Sequence, residues 1–423
     1  MAEKKTKNHF EYKDITVESG GTLSIGKVKG IPDITAGTLG EPVAWFLGPN
    51  GENREVLAAM INKGLQDACD FRANYPVNEP DPDVIDRRVK QSATYQQAVD
   101  AMMRAYDDLC AYLNTYSTPY SSMRYQGHML WDNTLPALAG YFAAMMHNPN
   151  NVTIEASTST TPLGIMVGWD LCKMIGFSFR EEGTPWAHIT ADGSIANIET
   201  AWATRECKFL PLVLRQLAQK ELTPALSLPI TICDETTVLL AEATPWQLLN
   251  MRMDDSLALP GRIAAHCGLS DEWEVWNRVE PYSLNSVGWL EMIGLTDDGR
   301  EGPLPIPVTM TPSTKHYSWP KAAAVCGYGH KQSWNVLVDA DGRMKITSDN
   351  SLSLGEGDVA PLKNHLQYCL EHKIPVAQVV VVTGTTEEGA VDPVKEVLAL
   401  REHFRTRGLD LTSTSTRHGV VIS

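Results

Sequence analysis

Val376-Ala377-Gln378-Val379-Val380-Val381-Val382 decides the fold: in this run only Gln378 is polar, and every position but two is valine. A strand with one wet face alternates apolar and polar residues. This one does not, so both of its faces must be covered, as in a parallel sheet held between helical layers. A turn at Gly384-Thr385-Thr386 follows. Asp392 then stands where an N-cap is expected, with Pro393 at the first helical position. Val394, Val397, Leu398, Leu400 and Phe404 make the buried face of a helix that Gly408 ends. A right-handed crossover after that helix calls for another apolar parallel strand. The chain offers Thr412-Ser413-Thr414-Ser415-Thr416-Arg417 instead.

Working outward, Asp192-Gly193-Ser194-Ile195-Ala196-Asn197 opens a helix expected to reach about Phe209, with Ile198, Ala201, Trp202, Arg205 and Phe209 at helical spacing. Such a mouth has two readings. Outward backbone N–H groups, the positive end of the helix dipole, a glycine and a hydroxyl suit an anion such as phosphate. The same residues also make an ordinary Gly-Ser cap. His316, in His316-Tyr317-Ser318-Trp319 ahead of a helix from Lys321 to Cys326, either stacks on a flat heteroaromatic ligand or is a core histidine. Thr385 and Thr386 lie just past the C-terminal end of the buried strand, where open α/β sheets bind ligands; their other role is to satisfy turn backbone. Glu387-Glu388 reads as a solvated turn, since adjacent residues seldom point the same way.

Amphipathic helices are expected from Glu55 to about Arg72 and from Tyr95 to Thr115, where Met102, Tyr106, Leu109, Tyr112 and Leu113 share a face. The prolines at 76, 80 and 82 mark an irregular connection between them. Residues 1–45, rich in Gly, Lys, Thr and Pro, read as an extended arm or disordered tail, and 46–116 as a helical region. The block 117–215 alternates helical stretches with small-residue turns and suits a parallel α/β layout. The stretch 218–305, with scattered Pro and acidic residues and short helical pieces such as Trp246 to Met251, reads as a peripheral insertion.

The chain has 423 residues and a formal net charge of −15. Phosphate-backbone binding needs clustered cations, and no long Lys/Arg run exists, so nucleic acid is not an expected partner. The eight cysteines stand singly, with no CxxC pair and no Cys/His ligand spacing. That points to no metal site and to a reducing, cytoplasmic setting. No signal peptide is read in Met1 to Lys7, and the apolar stretch Leu135 to Met146 is too short for a membrane span. No GxSxG, HExxH or Walker loop occurs, and Gly327-Tyr328-Gly329 lacks the third glycine of a dinucleotide fingerprint.

Taken in order, several segments resemble the group II pyridoxal-phosphate-dependent amino-acid decarboxylases, tyrosine-specific members most of all. They are Trp45-Phe46-Leu47-Gly48, Phe71 to Pro76, Ser117-Thr118-Pro119, Arg124 to Met129, Asn150-Asn151-Val152, His188 to Asn197, Trp246 to Met251, His316 to Trp319 and Gly384 to Asp392. The resemblance implies the fold-type I large domain over 117–411, a three-layer, mostly parallel α/β fold. It also implies a helical N-terminal region that embraces a second subunit in a homodimer, with the small C-terminal domain missing. The implied cofactor is pyridoxal 5'-phosphate, whose ring serves as an electron sink as an amino acid's carboxylate leaves as carbon dioxide.

On the same resemblance, Gly193 and Ser194 hold the phosphate and Asn197 belongs to the cofactor-facing turn. His316 stacks on the ring, Thr386 lies near its 3-hydroxyl, and His128 lines the substrate pocket. The family's Schiff-base lysine and the aspartate beside the ring nitrogen have no counterpart here; no lysine follows Lys395. The expected activity is decarboxylation of an aromatic L-amino acid, with this chain inactive or nearly so. Two alternatives are a non-catalytic, cofactor-binding or dimerising remnant and a glutamate-type lyase of the same fold.

A frameshift would account for the odd C-terminus. Codons compatible with Thr412 to Ser423, read from the last base of a Leu411 codon, spell the family's Tyr-Val-His-Val-Asp-Ala-Ala-Trp-Gly-Gly-Tyr-Phe. Residues 412–423 are therefore expected to be a non-native tail without a native strand, which the coding DNA would test.

Overall fold

The structure, a computed structural model, describes residues 15–17, 23–25, 40–74, 82–127, 130–177, 185–297, 299, 302–347, 359–417 and 420–422. Two compact units divide the chain, one formed chiefly by 25–175 and the other chiefly by 176–423. The main boundary between these compact units falls at Ile175/Gly176.

Within the expected arm 1–45, β1 (Ile15–Val17) and β2 (Leu23–Ile25) pair with each other, and Pro42–Trp45 makes a single 3-10 turn. The first unit is then helical: α1 (Arg54–Ala73), α2 (Arg87–Gln91), α3 (Ala93–Tyr116), α4 (Leu135–His147) and α5 (Thr160–Ile175). Both amphipathic helices form where their periodicity places them. Small residues let α1 and α4 approach closely. A Cβ on Gly64 would sit 3.6 Å from that of Ala143, and Ala68, Leu135 and Ala139 are buried. Ser92 caps α3 through its hydroxyl and Thr134 caps α4. No residue of α3 is buried.

Among the described residues, 117–215 contains no strand, which corrects the parallel layout expected there. Its apolar runs are helices whose partners are other helices.

In the second unit, α6 (Gly193–Lys220) runs well past the expected end near Phe209, straight through Pro211. A proline inside a helix removes the N–H that would bond the carbonyl four residues back, here Cys207. The buried Ser256 hydroxyl donates to that carbonyl at 3.2 Å, so the ladder continues without an orphaned oxygen. Around α6 lie the hairpin β3 (Pro229–Thr231) and β4 (Thr237–Leu239), with α7 (Pro245–Leu249), α8 (Met253–Cys267), α9 (Trp273–Val279) and α10 (Leu284–Gly294). A capping box between Thr244 and Gln247 starts α7. The stretch 218–305 packs against α6. Phe209, Leu214, Leu217, Leu248, Leu259, Ile263, Val275 and Met292 form one continuous apolar cluster there.

The sheet contains β5 (Val308–Pro312), β6 (Ser333–Val336), β7 (Val376–Val382), β8 (Thr412–Arg417) and β9 (Val420–Ile422), in spatial order β6-β5-β7-β8-β9. All neighbours are parallel except the β8–β9 pair. Every residue of β7 is buried, as its lack of alternation requires. α12 (Leu362–Glu371) and α13 (Val394–Arg405) share a cluster with Val376, Val379 and Val381. α11 (Ser318–Val325) packs on α6 through Ala322, Ala323 and Ala201, together with Ala377. The expected three-layer α/β arrangement with a helical N-terminal region is what the chain adopts.

Three local expectations fail for identifiable reasons. Asp392 does not cap α13. Its two carboxylate oxygens accept the backbone N–H groups of Met344 and Val382, each at 2.7 Å, so a sheet-side need outcompetes the helix. Leu398 is exposed, one step off the buried stripe of Val397, Leu400 and Phe404. Finally, residues after Leu411 do form a strand, with Gln378–Val382 pairing in parallel register with Thr412–Thr416. A ladder is made by backbone groups, and β-branched threonine accepts an extended conformation, so the open side of β7 can be satisfied without apolar side chains.

Candidate functional site

The chain leaves β5 for β6 on one side, and leaves β7 for β8 on the other. Neighbouring parallel strands whose connections diverge leave a crevice beyond their C-terminal ends, where open α/β sheets take their ligands. The loops bordering that crevice are 313–317 after β5 and 383–391 after β7, and they carry His316 and Thr386.

The β5 loop is anchored at both ends. The Ser313 N–H and hydroxyl both donate to Val336 O at 3.0 Å, and Thr314 Oγ1 donates to Gly342 O at 3.2 Å. His316 is exposed, with its ring 4.2 Å from that of Tyr317. Beside it, the Lys315 amine donates to the Asn335 side chain, and partial burial holds it below the ordinary lysine value. The Ser318 hydroxyl lies 2.8 Å from His316 Nδ1 and accepts from the Asn197 amide nitrogen at 2.7 Å. Asn197 sits one turn into α6, so this chain ties the helix mouth at Gly193 to the histidine loop. Asn197 and Ser318 are both buried. The Asn197 amide nitrogen is committed inward, toward Ser318.

At the mouth, Asp192 is the N-cap, accepting the Ile195 N–H at 2.8 Å. Gly193 and Ser194, both half-buried, leave their N–H groups and the Ser194 hydroxyl as the donors that can face a ligand. Nearby, the Trp186 indole N–H donates to His188 Nδ1 at 3.1 Å, and His188 Nε2 lies 2.7 Å from Glu199.

In the β7 loop, Thr385 is buried and fulfils the turn role: its hydroxyl donates to Glu388 and accepts the Ala390 N–H, both at 2.9 Å. Thr386 is exposed beside it. The structure thus links Asn197 to His316 through Ser318, with Gly193 and Ser194 about one turn earlier on α6, and puts Thr386 on the adjacent strand's loop. His128 lies outside the described residues. Among the described residues no group of His, Cys, Asp or Glu could hold a metal ion, and no helix is long and apolar enough to cross a membrane.

Sequence reasoning missed Ser318, the bridge of this neighbourhood, because its partner Asn197 is remote in sequence. It also missed Arg205, which fastens α6 to the end of α11 by donating to Cys326 O at 2.8 Å. The Trp289 indole donates to the same oxygen at 3.1 Å. That ring lies so close to Gly327, at φ +83°, that a Cβ there would come within 2.1 Å of it, so the turn requires glycine. At the opposite end of the sheet, Lys208 is buried and donates to Asp410 O at 2.8 Å, while Arg405 meets the Asp410 carboxylate at 2.5 Å. Burial pushes the Lys208 amine below the ordinary lysine value, with Asp410 pulling the other way.

No protein-family model matches the chain. The L-tyrosine decarboxylase of Levilactobacillus brevis is 30% identical over 367 residues, which are 86% of this chain and 49% of that protein. The L-tyrosine decarboxylase of Enterococcus faecium is 30% identical over 86% of this chain and 50% of its own length. The chain therefore spans about half the length of these relatives. A crystal structure of the glutamate decarboxylase domain of a diaminobutyrate-pyruvate transaminase and L-2,4-diaminobutyrate decarboxylase from Vibrio parahaemolyticus aligns with TM-score 0.44. Its identity is 13%, over 87% of this chain and 64% of that one. Over 86% of its length the chain is thus similar to the L-tyrosine decarboxylases, in keeping with the order of its motifs, which resembles that of the group II pyridoxal-phosphate-dependent decarboxylases.

Proposed function

We propose that the second unit is the cofactor-binding part of a decarboxylase of aromatic L-amino acids, tyrosine favoured, and that these 423 residues by themselves bind pyridoxal phosphate without appreciable turnover. The observation that carries the reading is the bonded series Asn197–Ser318–His316. It joins a helix mouth suited to phosphate with an exposed imidazole at the crevice where the strand connections diverge.

The residues present fit the group. Gly193 and Ser194 offer backbone and hydroxyl donors at the positive end of a long helix. His316 offers an exposed ring face, and Thr386 stands on the neighbouring loop. The bound cofactor would supply an electron sink for the bond to the departing carboxylate. The side chains described here bind and orient. None stands as the lysine or the ring-nitrogen aspartate of the family, since Asp392 is fully engaged with Met344 and Val382. That engagement favours the second reading, a binding and dimerising protein without turnover of its own. The apolar face of α3, which the described residues do not bury, supports a second copy as its partner.

Pyridoxine 5'-phosphate, which lacks the aldehyde and cannot link to stray lysines, tests binding in isolation. We expect it to bind at least about tenfold more tightly than pyridoxine by calorimetry, because removing the phosphate removes charge-assisted hydrogen bonds. Equal affinities would defeat the phosphate assignment. An amine-product assay with the pyridoxal-phosphate-loaded chain across tyrosine, phenylalanine and glutamate tests the rest. Robust tyramine formation would refute the lack of turnover, and glutamate as the only amino acid converted would refute the aromatic preference.

A further inference from the structure

The hydrogen bonds around His316 have a polarity that follows atom by atom. The Ser318 backbone N–H can only donate, and it points at His316 Nδ1 from 3.3 Å. That nitrogen therefore carries a lone pair, and a neutral ring keeps its proton on Nε2. The Ser318 hydroxyl, 2.8 Å from the same nitrogen, must then donate to it as well. Its oxygen is left to accept from the Asn197 amide nitrogen at 2.7 Å. Turning the Asn197 amide over would face its carbonyl oxygen toward Ser318 and draw the hydroxyl proton away. Nδ1 would then have to be a donor, which the Ser318 backbone N–H contradicts. One arrangement satisfies all three groups.

We infer that Ser318 and Asn197 are positioning residues that hold His316 in the Nε2–H tautomer and fix its ring plane. The group that meets Nε2 must accordingly be a hydrogen-bond acceptor. The tautomer stands without any ligand. That the ring so held meets a pyridine rests on the proposed function above.

Nitrogen-15 NMR of the free, full chain, labelled at histidine and recorded where His316 is neutral, reads the tautomer directly; the spectrum of His316→Gln assigns the signal. The expected result is a protonated Nε2 in the unsubstituted protein. In Asn197→Asp the Ser318 hydroxyl donates its hydrogen bond to the new carboxylate, only the longer backbone contact is left on Nδ1, and a mixture of tautomers is expected. Should that variant fail to fold, Ser318→Ala serves: only the longer backbone contact remains, and a mixture of tautomers is expected. A protonated Nδ1 in the starting protein, or a tautomer unmoved by the substitutions, overturns the inference.

Pyridoxine 5'-phosphate affinity is the separate arm. A loss of roughly three- to tenfold in Ser318→Ala corresponds to one ordinary hydrogen bond's worth of orientation. If the tautomer responds as expected and pyridoxine 5'-phosphate does not bind, the functional reading falls while the positioning role remains.

Discussion

The helices α3 and α6 look alike in sequence and differ in everything else. Both are long, 24 and 28 residues, and both carry apolar residues at helical spacing. Yet twelve residues of α6 are buried and none of α3 is. Met102 is 64% exposed, Tyr106 61% and Leu109 52%. Periodicity reports that a helix has a face to cover. It does not report what covers it. For α6 the cover comes from the same chain, in α7 to α10 and α11; for α3 the described residues supply none.

The largest effect that tests this contrast is a truncation in the α6 core. Phe209→Ala should cost about 3–5 kcal/mol, by lost transfer energy and the cavity left behind, measured by urea unfolding. A cost near zero would mean that the cluster around α6 is loosely packed. Next, Asp392→Asn replaces one of two acceptors with a donor that faces a backbone N–H. A loss of about 1–3 kcal/mol is expected at neutral pH.

The same substitution has a pH signature. Burial raises the Asp392 carboxyl above its ordinary range, against the pull of the Val382 and Met344 N–H groups. A carboxyl raised in the folded state binds more protons there than in the unfolded chain. Stability from this group is therefore greatest below the unfolded value and declines as pH rises from that value through the folded one. The advantage of the natural protein over Asp392→Asn should accordingly be larger in acid than at neutrality. An advantage that grows with pH would contradict the buried placement.

Leu109→Ala on α3 should change stability by no more than about 0.5 kcal/mol, the norm for an exposed site. A cost of about 2 kcal/mol that depends on protein concentration would show the face to be covered by a second copy in solution. The smallest expected effect is chemical. The Cys233 thiol, desolvated and pushed up to about 12, should remain unmodified by a thiolate-directed reagent at neutral pH, while the exposed Cys69 reacts first.

Legibility in the sequence followed the same division between local and remote causes. β7 was readable because seven consecutive buried positions leave a local mark, and α11 only in part, since the helix expected from Lys321 to Cys326 begins earlier, at Ser318. The strand β8 was not, because a backbone ladder needs no apolar letters. Asp392 illustrates the converse: a residue with the right neighbours for a cap is taken by Met344 and Val382, which only the folded sheet brings near. At the candidate site, Gly193, Ser194 and His316 could be picked out from their local motifs, and the loop carrying Thr386 from its place after a buried strand. The bridge through Ser318 could not, since nothing near either residue signals a bond across 121 positions. The buried trio of Lys208, Arg405 and Asp410 was invisible for the same reason.

Pro211 and Ser256 have a shared fate that neither residue shows alone. Restoring an N–H at position 211 would return the Cys207 carbonyl to the helix and set a rival beside the Ser256 hydroxyl; losing that hydroxyl first would strand the carbonyl in apolar surroundings. Losing Ser256 first is therefore the disfavoured step, whereas replacing Pro211 first keeps the carbonyl paired and makes the later loss of Ser256 benign. The order of change is thus fixed: an engineer straightening α6 would edit Pro211 first and could release Ser256 on α8 only afterwards.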